Sequence, residues 1–92
     1  MIDGSTRLKV PETVLIRAVH DETVLLDLES EQYFGLDAVG SCVIEALTGG
    51  ADVDGAIRAV FDAFDAPEHQ IRADVVTLVK DLVASRLLVS ST

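Results

Sequence analysis

Between Leu36 and Asp37 the hydrophobic period of this chain changes from two to helical. That switch limits the fold more than any other feature, because a strand alternates its side chains between two faces while a helix returns to one face every three or four residues. Before the switch, Thr13 to His20 and Thr23 to Glu29 are rich in Val, Leu and Ile and flank the polar pair Asp21-Glu22. This arrangement predicts a hairpin, with Asp-Glu a weaker turn signal than Asn-Gly. With His20 opposite Thr23, residues Leu15, Val19, Val24, Leu26 and Leu28 share one face. Arg17 is the exception on that face and is expected near an edge or end. A second polar turn at Ser30-Glu31 leads into Gln32-Tyr33-Phe34-Gly35-Leu36, a short third strand, which completes an antiparallel meander.

After the switch, Asp37 is a good N-cap, and Val39, Cys42, Val43, Ala46 and Leu47 follow at helical spacing until Gly49-Gly50. Asp52 caps a second helix with Val53, Ile57, Val60, Phe61 and Phe64 on one face. Pro67 suits the first position of a third, with Glu68 beside its positive end. That helix carries Ile71, Val75, Leu78, Val79 and Leu82 on its main face and is expected to run to about Ser85. Val76 and Val83 widen its apolar arc beyond what a surface helix needs, and surplus apolar surface suits a groove. Leu87-Leu88-Val89 reads as a short extended segment. The expected fold is α+β: a three-stranded antiparallel sheet followed by three helices, an order that resembles winged helix-turn-helix domains. Residues 1–11 lack a clear period and are expected to form a flexible arm, leaving one compact domain over 12–90.

Composition narrows the function. Hydrophobic residues make up 49% of the 92 but aromatics only 4%, so the core must be built from Val, Leu, Ile and Ala. Sixteen Asp and Glu against seven Lys and Arg give a net charge of −9. An acidic surface repels phosphate backbones and anionic headgroups, so nucleic acid and membrane are poor partners and a basic or hydrophobic peptide is a better one. A helix-turn-helix regulator would need a basic recognition helix, but Arg72, Lys80 and Arg86 are offset by Glu68, Asp74 and Asp81. The single cysteine, Cys42, excludes an intramolecular disulfide and a Cys-based zinc site and fits a reducing cytoplasm. The first residues lack the basic and apolar regions of a signal peptide, and no segment approaches the roughly 18 apolar residues of a membrane span.

No catalytic constellation emerges. His20 and His69 are far apart without metal-ligand spacing. Cys42 sits on an apolar stripe with no basic neighbour to make a thiolate. The carboxylates are scattered over turns, caps and outward helix faces, and the glycines form no phosphate-binding loop. No cofactor, metal or enzymatic activity is expected.

Against this background the run Val24-Leu25-Leu26-Asp27-Leu28, then Tyr33-Phe34-x-Leu36-Asp37-x-x-Gly40, Leu47-x-Gly49-Gly50, and Asp74-Val75-x-x-Leu78-x-x-x-Leu82 with Leu87-Leu88, resembles the PqqD-like family of peptide-recognition elements. Two departures stand out: the family often has Asn where this chain has Asp37, and Gly where it has Arg86. The resemblance implies a non-catalytic partner that binds the leader of a ribosomally made precursor as an added strand. By position, Gln32, Tyr33, Phe34, Gly35 and Leu36 would supply the strand edge. Ile71, Asp74, Val75, Leu78 and Leu82 would supply a helical wall, with Val76 and Val83 as alternatives because the helix rotation is not fixed by sequence. Within the family, a standalone acidic chain with this pattern is most similar to the recognition protein of split lasso-peptide systems, which serves a separate leader peptidase and a cyclase. A PqqD-type partner of a radical enzyme in cofactor biosynthesis is the alternative.

Overall fold

The computed structural model describes residues 2–19 and 22–91. Eight elements follow in order: β1 (Leu8–Lys9), β2 (Val14–Val19), β3 (Glu22–Asp27), β4 (Gln32–Leu36), α1 (Ala38–Thr48), α2 (Val53–Ala63), α3 (Glu68–Ala84) and β5 (Val89–Ser90). β2, β3 and β4 form the expected antiparallel meander, and the three helices follow it.

The hairpin register differs from the expected one. Thr23 pairs with Ala18 rather than His20, and Leu15 pairs with Leu26. His20 and Asp21, expected at the turn, lie outside the described residues. A slip of two residues preserves the faces, so Leu15, Val24 and Leu26 do share one side with Arg17, which lies on the edge strand β2. Yet the side that packs against the helices is the other one, where Val14, Leu25 and Leu36 are buried. Alternation did not reveal this because residues 24 to 26 are apolar on both faces. From β3 to β4 the chain crosses at residues 28–31, where the Asp27 carboxylate accepts a hydrogen bond from the Glu29 N–H at 3.0 Å and Glu31 takes φ 59°.

Side chains cap α1 and α2 but not α3, where Pro67 stands at the N-cap and not at the expected first helical position. The Asp37 carboxylate accepts from the Gly40 N–H at 2.8 Å, and Asp52 accepts likewise from Gly55 at 2.8 Å. α2 has additional cover: its first two N–H groups, on Val53 and Asp54, donate to the Thr6 carbonyl (3.0 Å) and the Gly4 carbonyl (2.8 Å). Residues expected as a loose arm are thus tied to a helix start, and Leu8 is buried where β1 pairs with β5. Free N–H groups at a helix N-terminus attract any available carbonyl, a demand that carries no local sequence signature in the donor segment. At its other end α1 gives way to Gly50 at φ 103°, a left-handed value that glycine adopts without penalty. α3 ends in a left-handed cap. Arg86 takes φ 61°, its N–H donates to the Val83 carbonyl at 3.0 Å, and the Leu87 N–H donates to the Leu82 carbonyl at 2.8 Å. Leu82 and Leu87 are both buried, which supplies the apolar contact such a cap favours.

One core joins these parts. Val43, Ile44 and Leu47 of α1 pack with Leu25 and Leu36, and with Val53, Ala56, Ile57 and Val60 of α2 and Ile71, Val75, Val79 and Leu82 of α3. Ile44 replaces Cys42 at the centre of the α1 stripe; Cys42 is half-buried. Phe61, expected inside, is exposed.

Candidate functional site

In the order β2-β3-β4, the last strand has a neighbour on one side only, and no described strand pairs with its outer edge. That edge leaves backbone N–H and C=O groups available to an extended chain. Its side chains divide as alternation requires. Leu36 is buried beneath α1, Phe34 lies opposite Leu25 on the same helix-facing side, and Tyr33 lies opposite Leu26 on the outer side. Phe34 is 37% exposed and Tyr33 77%. Neither belongs to the buried core: Phe34 borders the space between sheet and helix, and Tyr33 stands out from the sheet.

The space beside Phe34 is a small cleft of about 70 Å³. From the sheet side Asp27, Ser30, Gln32, Tyr33 and Phe34 line it; Ser85 and Leu87 close it from the end of α3. Ser85 fixes the rotation of α3. In a helix of 3.6 residues per turn, Asp74, Leu78, Asp81 and Ser85 follow one another at spacings of four, three and four and form one stripe. Of these, Ser85, at the C-terminal end of the stripe, lines the cleft. The opposite flank, Arg72, Val76 and Val83, turns toward α2, where the Arg72 Nη1 donates to Asp54 Oδ1 at 3.3 Å. Leu78 is half-buried and packed against the core on the same flank of α3 as Ser85, about two turns before the cleft, whereas Val76 and Val83 lie on the flank of Arg72.

Four residues expected at the wall or edge have no free side chain. Leu36, Ile71, Val75 and Leu82 are all buried in the core; they hold β4 and α3 in place rather than presenting a surface. Gln32, Tyr33, Phe34, Gly35, Asp74 and Leu78 remain accessible. Asp27, Ser30, Ser85 and Leu87 were not anticipated. The four-three-four stripe through Leu78 contained the signal for Ser85, but nothing in the sequence indicated which flank of α3 meets the sheet.

Elsewhere, a wider cleft of about 650 Å³ opens between α2 and α3, lined by Asp54, Arg58, Phe61 and Arg72 among others. It is crossed by the Arg72–Asp54 ion pair, and no residue of β2, β3 or β4 lines it. Volume alone therefore does not make it the better site for an extended chain. At Cys42, burial and the neighbouring Glu45 carboxylate push the thiol above its ordinary value, the reverse of what a nucleophile needs. Among the described residues no cluster of three His, Cys, Asp or Glu side chains is placed to hold a metal ion.

Residues 22–88 match the family model described as coenzyme PQQ synthesis protein D (PqqD). The chain belongs to the PqqD family. The match runs from the first residue of β3 to the Leu88 that follows α3 and so contains both walls of the cleft. A PqqD-family relative in Rhizobium meliloti (strain 1021), the PqqA binding protein, is 31% identical over 90 residues, covering 96% of this chain and 90% of its own. Among solved structures, TbiB1 in complex with the TbiA(beta) leader peptide superposes with a TM-score of 0.80 at 30% identity, covering 87% of this chain and 93% of TbiB1. A lasso peptide synthetase B1 complexed with its leader peptide shares the fold at a TM-score of 0.82 and 16% identity, covering 90% and 98%. None of the PqqD-family helices among the described residues is long and apolar enough to cross a membrane.

Proposed function

We propose that this PqqD-family chain captures the leader segment of a ribosomally synthesised precursor by strand addition to β4, against the Leu78 flank of α3. It then presents the precursor to a leader peptidase and a cyclase in lasso-peptide-type biosynthesis. The observation that carries the reading is the unpaired β4 edge beside a cleft closed by Ser85 and Leu87. Backbone pairing would set the register of the leader, and the Phe34–Leu78 side would bury its apolar side chains. A TbiB1-like fold at 30% identity, seen with a leader peptide bound, supports the same use. The chain itself acts as carrier, and the chemistry belongs to its partners.

Fluorescence anisotropy with the precursor encoded nearest this gene tests the reading. The labelled leader is expected to bind and the core segment, without its leader, to bind little. Equal affinity for the two segments would reject leader capture.

A further inference from the structure

If an extended leader does add to β4, the wall it meets also selects its charge. On the α3 stripe that ends at the cleft residue Ser85, one apolar side chain, Leu78, stands between two exposed carboxylates, Asp74 and Asp81. Among the described residues neither carboxylate has an ion-pair partner. Asp27 lines the cleft itself, and Glu29 and Glu31 are exposed on the turn that enters β4. Arg86, which follows Ser85, is the cation adjoining this end. Carboxylate charge therefore dominates the approach to an apolar contact.

Spacing gives this charge a pattern. Along α3, Asp74 lies about 6 Å before Leu78 and Asp81 about 4.5 Å after it, at 1.5 Å per residue. An extended peptide repeats on one face every second residue, about 6.7 Å. Side chains two positions either side of one seated against Leu78 thus come level with the two carboxylates, within the reach of Lys or Arg. We infer that the segment this chain captures is cationic, with an apolar residue directed at Leu78 and Lys or Arg two positions away on one or both sides. Acidic side chains at those positions would meet like charge and be rejected.

A random decapeptide display library, selected on the immobilised full chain and sequenced, reads this directly. Lys and Arg are expected to be enriched about two- to fivefold two positions from an apolar residue, as exposed ion pairs allow. The double variant D74K/D81K changes only exposed side chains and is expected to invert the preference toward Asp and Glu. Enriched peptides with no basic bias, or a bias that survives the double reversal, would overturn the charge rule while leaving leader capture standing. No enrichment of any peptide would overturn both.

Discussion

Arg86→Gly is expected to stabilise the chain. At φ 61° Arg86 occupies the left-handed region, where a β-carbon crowds the following carbonyl at a cost of about 1–2 kcal/mol. Glycine escapes that cost but loses more chain entropy on folding, about 0.4–1 kcal/mol. The difference favours glycine by about 0.5–1 kcal/mol, because the cap bonds from the residue 86 N–H to Val83 and the Leu87 N–H to Leu82 are main-chain bonds that survive the change. For a domain of this size that corresponds to a rise in Tm of about 2–8 °C. Thermal unfolding followed by far-ultraviolet circular dichroism measures it. Arg86→Ala is the control, since it removes the same cation from a chain already at −9 yet keeps the left-handed β-carbon. No rise is expected from it. If Arg86→Gly left Tm unchanged or lowered it, or if Arg86→Ala raised it equally, the strain argument would fail.

Four further outcomes follow from the same geometry. Phe34→Ala, on the helix-facing side, is expected to weaken leader binding several-fold in anisotropy titrations and more than Tyr33→Ala, which also lines the cleft but from the outer side of the sheet; the reverse ranking would place the leader on the other face. Leu78→Val is expected to weaken leader binding and Val76→Ser to leave it intact, with both folded by circular dichroism, because only Leu78 lies on the flank toward β4. Asp52→Ala removes the side-chain acceptor of the Gly55 N–H and is expected to cost about 1 kcal/mol in urea unfolding; a loss below a few tenths would mean that the Gly4 and Thr6 carbonyls suffice to cap α2. Incubated alone with precursor, the purified chain is expected to leave its mass unchanged by mass spectrometry, since burial and the Glu45 carboxylate disfavour the thiolate of its single cysteine, Cys42; a changed mass would reject the carrier reading.

Where a structural feature depends on local chemistry, it was legible in the sequence. Asp37 and Asp52 announce their helices because a carboxylate three residues before a free N–H is itself the cap, and the meander was visible as three short runs divided by polar turns. What the sequence concealed were choices between equivalent local options. Residues 24 to 26 are apolar on both sides, so alternation could not say that Leu25 and not Leu26 faces the helices. Leu78, Val76 and Val83 are all apolar on flanks of one helix, and only the position of Ser85 against β4 tells them apart. Leu8 was passed over because a two-residue strand has no period, and its burial depends on β5 at the far end of the chain. The left-handed cap at Arg86 was hidden by the absence of the glycine that normally marks it.

The sheet has two edges, β2 as well as β4, and main-chain pairing by itself does not choose between them. An unstructured peptide loses conformational entropy when it adds to an edge, and backbone hydrogen bonds exchanged against water return little of it. The edge that captures a leader must therefore also bury side chains. On the proposed reading the cleft beside β4 offers that burial: Phe34 lies on the helix-facing side, and Leu87 closes the end under a cap held by Leu82. Ile71, Val75 and Leu82 fix the rotation of α3 against the core, and with it the flank that meets β4. If the leader is captured as proposed, a substitution at Val75, which is fully buried, is expected to weaken leader binding by turning the wall and not by a lost contact.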